Sequence, residues 1–153
     1  MFNFISILSD SVQVGHTFVI SGYASEGADE FKILLSCGKV ESANVALKIS
    51  PNFSNKKILR SSHVSGSCMC EEDEENLTCD ASMPLKTGDL FTFCILVGDD
   101  RFHVALNDEP YCTYKFQIPC NQIKSLIISG DIEALVKVNH IKSFPFTFPS
   151  IKS

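Results

Sequence analysis

The stretch Ala43 to Phe53, ANVALKISPNF, decides how this chain is read. Val45, Leu47 and Ile49 alternate with Ala46, Lys48 and Ser50. Successive side chains of an extended strand point to opposite faces, so an apolar residue at every second place marks a strand with one face in a core. The spacing predicts that Val45, Leu47 and Ile49 enter the core. Lys48 and Ser50 then share the opposite face, and Asn52 follows just past Pro51 near the same rim.

Outward from this segment the period of two continues. Phe18, Ile20 and Gly22 alternate with Val19 and Ser21. Phe91, Phe93, Ile95 and Val97 alternate with Thr92, Cys94 and Leu96, and Phe102, Val104 and Leu106 alternate with His103, Ala105 and Asn107. Turn residues separate these runs at Gly15, Glu26-Gly27, Gly38, Pro51-Asn52, Gly66, Thr87-Gly88, Gly98-Asp99 and Asn107-Asp108. Many short strands, frequent turns and no helical stripe predict an all-β sandwich or barrel with no helix longer than about two turns. Val45, Leu47, Ile49, Phe93, Ile95, Phe102, Val104 and Leu106 are the expected core.

Composition bounds the function. A chain of 153 residues, 44% hydrophobic and with 12 Phe, suits one domain around one core. A net charge of −5 argues against a nucleic-acid partner, which needs a basic surface. The apolar runs are too short to insert into a membrane. MFNFISILSD lacks the basic lead and small-residue cleavage site of a secretory signal. The seven cysteines are odd in number and several lie within strand patterns, so reduced thiols in a reducing, cytoplasmic compartment are expected. The tail from His140 to Ser153 combines Phe with Pro145 and Pro149 and is expected to be extended.

The face opposite the core carries the candidate chemistry. In the segment after Asn52, Lys57, Leu59 and Ser61 share one side. In SCMCEED, Glu71 and Asp73 do so. If these segments pair with the one that bears Lys48 and Ser50, they form one polar patch. From spacing alone the same pattern describes an ordinary solvated sheet face. Cys68, Cys70, Cys79 and His63 lie close in sequence, but their spacing is not a recognised metal-ligand pattern, and no metal or other cofactor is expected. His16, His63, His103 and His140 accompany no nucleophile motif, so no enzyme is expected.

The order of these segments resembles the galectin family. VGHTFVISG is similar to the family's opening strand, and FKILLSCGKVESANVALKISPNF to its strand pair ending in H-x-N-P-R-F. ILRSS resembles V-x-N-S, and GSCMCEE resembles W-G-x-E-x-R. MPLKTGDLFTFCILVGDDRFHVALNDEPYCTYKF and IPCNQIKSLIISGDIEALVKV resemble the later strands. The resemblance covers about Val14 to Val138. It implies a jelly-roll sandwich of two antiparallel sheets over 1–139, with the tail 140–153 outside, and a sugar site on the concave sheet.

Carried over by position, the resemblance assigns the site to Lys48, Ser50, Asn52, Ser61, Cys68, Glu71 and Asp73. Lys48 stands where the family has His, Ser50 where it has Asn, and Asn52 where it has Arg. Ser61 replaces a second Asn, Cys68 the Trp, and Asp73 a second Arg. Only Glu71 matches. An Arg fork fixes hydroxyl geometry and an indole offers the sugar a flat apolar platform. Losing one charge-assisted hydrogen bond and the platform costs about 3 kcal/mol together, or ~100-fold in affinity.

The resemblance therefore implies a lectin domain with weak or altered β-galactoside recognition, whose partner is a glycan or glycoprotein and not necessarily a simple β-galactoside. Family members also reach the outside by non-classical secretion. The alternative is a galectin fold that has lost sugar binding and serves as an interaction module. Phe2, Phe4, Ile5, Ile7 and Leu8, with Phe144, Phe146 and Phe148, are the apolar ends that would form a homodimer surface or pack on their own sandwich.

Overall fold

The computed structural model describes residues 2–39, 43–64 and 83–142, and the backbone alone of 67–70. Eleven strands are present among them: β1 (Phe2–Ile7), β2 (Thr17–Ala24), β3 (Phe31–Ser36), β4 (Val45–Asn52), β5 (Lys57–Val64), β6 (Ser67–Cys70), β7 (Leu90–Val97), β8 (Arg101–Leu106), β9 (Glu109–Lys115), β10 (Ser125–Gly130) and β11 (Ile132–Ile141). The only helical element among the described residues is a three-residue 3-10 turn, Cys120–Gln122. The all-β expectation holds.

The strands form two antiparallel sheets. One has six strands in the order β1-β10-β3-β4-β5-β6, and the other has five in the order β11-β2-β7-β8-β9. Strands distant in the chain pair edge to edge, as β1 does with β10 and β11 with β2. The core lies between the sheets. Phe31, Ile33, Leu35, Leu47, Ile49, Ile58 and Leu126 from the six-stranded sheet belong to one buried cluster with Phe18, Ile20, Phe91, Phe93, Ile95, Phe102, Val104 and Leu106 from the five-stranded sheet. Phe31 stacks on Phe91 with ring centroids 4.8 Å apart, a favourable offset arrangement. Ser62 and Tyr114, both buried, join the two sheets through a hydroxyl–hydroxyl hydrogen bond of 2.8 Å.

One core assignment changes. Val45 is buried, but it lines the outer face of the six-stranded sheet and is not part of the main cluster. The cause is a β-bulge at Ala46. Leu35 pairs with Leu47 while the next residue, Ser36, pairs with Val45, and on the other side Val45 pairs with His63 while Lys48 pairs with Ser61. One extra residue in β4 lets adjacent Ala46 and Leu47 both enter the core and turns Val45 outward. Strict alternation places Leu47, Ile49 and Lys48 correctly and fails at the bulge.

The two ends of the domain are strands. In β1, Phe2 and Phe4 pack against the core, as does Leu8 just beyond it, while Ile5 and Ile7 face solvent at 45% and 54% exposure. Strand β11 extends to His140 and Ile141, which pair with Phe18 and Thr17, so the sheet continues two residues beyond 139. Phe144, Phe146 and Phe148 lie outside the described residues. Cys37, Cys94, Cys112 and Cys120 are free cysteines.

Candidate functional site

The outer face of the six-stranded sheet is built by register. Lys48 pairs with Leu34 on one side and Ser61 on the other, and Ser61 pairs with Cys70. Continued through β3, the same row runs to Ile127 and Ile5. Directly paired residues of antiparallel strands share a face. The row therefore reads Ile5, Ile127, Leu34, Lys48, Ser61, with an aliphatic half and a polar half.

Of the seven residues singled out by sequence, four have described side chains. Lys48 is half-buried in the row, Ser61 is buried beside it, and Ser50 is buried two residues along β4 on the same face. The Ser50 hydroxyl donates to Glu30 Oε1 at 3.4 Å. Asn52 departs from the others. Its Oδ1 accepts the backbone N–H of Asn55 at 2.9 Å and so closes the turn from β4 to β5. That turn also places Lys56 at a positive φ of 55°. Cys68 stands opposite His63 in the backbone register, with β6 on the far side of β5. Glu71 and Asp73 lie outside the described residues.

Next to this patch is a groove of about 650 Å³. Ile5, Leu34, Val45 and Ile127 give it apolar surface, Lys32, Lys39 and Lys48 give it cationic groups, and the His63 imidazole lines it beside them. Sequence reading reached Lys48 and missed Lys32, Lys39 and His63 as its neighbours. Alternation within FKILLS puts Lys32 and Leu34 on one face, but nothing local reveals that β10 and β3 lie between β1 and β4. Ser36 lines the groove too, yet its hydroxyl is spent on the loop after β3, donating to Gly38 O at 2.8 Å.

The model of the galactoside-binding lectin family matches residues 3–140, nearly the whole described chain. This chain belongs to the galectin family. It is 26% identical over 151 residues to a 32 kDa β-galactoside-binding lectin of Haemonchus contortus, covering 95% of this chain and 50% of that one. It is 30% identical over 135 residues to bovine galectin-4, covering 88% of this chain and 39% of the other. The chain thus spans half or less of the length of these relatives. Among solved structures, sheep galectin-11 in complex with glycerol superposes with a TM-score of 0.72 at 18% identity, over 90% of this chain and 96% of that one. That likeness concerns the fold. The family consists of carbohydrate-binding lectins, and this galectin domain is not an enzyme. No group of three or more His, Cys, Asp or Glu side chains able to hold a metal occurs among its described residues. No helix among them is long and apolar enough to cross a membrane.

Proposed function

We propose that this galectin domain binds a glycan on the outer face of its six-stranded sheet, with β-galactoside recognition weakened or altered. The observation that supports this reading most is the row that brings Lys48 and Ser61 side by side, with Ser50 on the same face. These are family sugar positions whose residue types differ from the family pattern. Lysine offers donors without the planar fork of arginine, and serine offers a shorter reach than asparagine. Asn52 spends its carbonyl oxygen on its own turn. With no Trp in the chain, the indole platform is missing as well.

Calorimetry with lactose tests the reading. The natural domain is expected to bind more weakly than the low-millimolar range. The variant Lys48→His, Ser50→Asn, Asn52→Arg, Cys68→Trp and Asp73→Arg is expected to bind more tightly. Tight binding by the natural chain contradicts the altered-site reading, and a folded variant that gains nothing contradicts the placement.

A second reading rests on β1. This edge strand exposes Ile5 and Ile7, and apolar edges favour pairing with another chain. A homodimer through β1 predicts a concentration-dependent elution volume in size-exclusion chromatography that Ile5→Lys with Ile7→Lys abolishes. A domain that elutes as a monomer at all concentrations rejects it. A cytoplasmic site of action is likewise a proposal, resting on the odd number of cysteines.

A further inference from the structure

The groove beside the family sugar positions has a charge unlike that of the chain. The chain carries −5 overall, yet three lysines and a histidine line the groove and, among the described residues, no Asp or Glu does. None of Lys32, Lys39 and Lys48 is ion-paired with a described residue. Glu30, the carboxylate that Ser50 engages, is not part of the lining. Unneutralised cations gathered at one concave place raise the local concentration of anions and bind them through charge-assisted hydrogen bonds, about twice as strong as neutral ones.

The rest of the lining has a shape suited to a ring. Ile5, Ile127 and Leu34 are direct register partners on three adjacent strands, so they form an aliphatic strip two strand spacings long, about 10 Å. The strip ends at Lys48. Lys32, two residues from Leu34 on β3, flanks it. A purely neutral sugar gains little here, because lysine supplies no acceptor and hydroxyl groups exchange one partner for water at small net gain.

We propose that this groove takes an anionic saccharide, with a sulfate or carboxylate among Lys32, Lys39 and Lys48 and the apolar face of the sugar on Ile5, Ile127 and Leu34. The proposal rests on the carbohydrate-binding reading above and names the substrate class for it. The ligand's charge does the selecting, and the aliphatic strip takes the place of the indole platform that a chain without Trp cannot supply.

Calorimetry with 3′-O-sulfated lactose and with lactose, together with an array of neutral, sulfated and sialylated glycans, tests both levels. The sulfated sugar is expected to bind about tenfold or more tightly than lactose. That preference should shrink as salt rises, because screening weakens exposed charge pairs. It should vanish in Lys32→Ser with Lys48→Ser and persist in Lys32→Arg with Lys48→Arg, with circular dichroism confirming the fold of each. Equal affinity for the two sugars overturns the anionic assignment and leaves carbohydrate binding standing. A preference that survives in the folded serine variant overturns the assignment to this groove. No binding to any glycan of the array overturns both the assignment and the carbohydrate reading.

Discussion

At the scale of single residues, neighbours in sequence have unlike roles. Leu47 is fully buried between the sheets, while Val45, two positions away, lines the outer groove. Leu47→Ala leaves a cavity in a close-packed interior and is expected to cost about 2–5 kcal/mol. Val45→Ala opens space that water enters from the groove, and a loss of about 1 kcal/mol or less is expected. Denaturant midpoints compare the two, and equal losses would contradict the bulge at Ala46. In β5 the alternation that carries Ser61 outward carries Arg60 and Ser62 inward, at 3% and 0% exposure. Ser62 is accommodated because Tyr114 reaches it from the opposite sheet. That partner lies 52 residues away, and no local pattern announces it.

At the scale of elements, the passage from β10 to β11 moves the chain from one sheet to the other within two residues. Gly130 ends β10 at φ +112°, and a Cβ there would lie 2.7 Å from Phe31 Cα and 2.9 Å from Glu30 O. Asp131 follows, and its Oδ2 accepts the backbone N–H groups of Asp29 at 2.9 Å and Glu30 at 3.3 Å. The crossing is thereby tied to the start of β3, the strand that carries Lys32 and Leu34. Gly130→Ala combines a disfavoured φ with a backbone clash and is expected to cost about 1–3 kcal/mol or more. Gly27→Ala, also at positive φ but with nothing within 4 Å, should cost less. Thermal unfolding of the two variants separates clash from φ alone, and a Gly130→Ala midpoint at or above that of Gly27→Ala would contradict the packing described.

At the scale of the whole molecule, segments 124 residues apart meet at a pair of imidazoles, His16 before β2 and His140 in β11. His140 of β11 stacks on Phe18 with centroids 4.5 Å apart, and its Nε2 lies 2.9 Å from His16 Nδ1. The Gln13 N–H also points to His16 Nδ1, so His16 accepts and His140 donates. Lys142 pairs with Asp10 close by. Burial, then the like charges of His16 and Lys142, lowers the His140 pKa from 6.5 to about 4, and burial, followed by Lys142, lowers that of His16. A depressed histidine favours the neutral form in the fold. Its contribution is fully present above the unfolded value of about 6.5, and is lost as pH falls from there toward about 4, because only the unfolded chain takes up the proton in that window. Titration of the His140 ring followed by nuclear magnetic resonance is expected to give a midpoint near 4, with stability falling between pH 6.5 and 4. A midpoint at the ordinary histidine value would contradict the pairing. By itself the sequence determined the all-β class, the inward set around Phe93, Ile95, Phe102 and Val104, the outward set of Lys48, Ser50 and Ser61, and through them the resemblance to the family. Those features follow from the two-residue period of an extended chain, which a strand obeys locally wherever no bulge interrupts it. Only the tertiary structure decided that Val45 leaves the core, that Lys32, Lys39 and His63 join Lys48, and that His16 meets His140. Each depends on which strands are neighbours and on where one extra residue shifts their register, and those choices belong to the packing of distant segments.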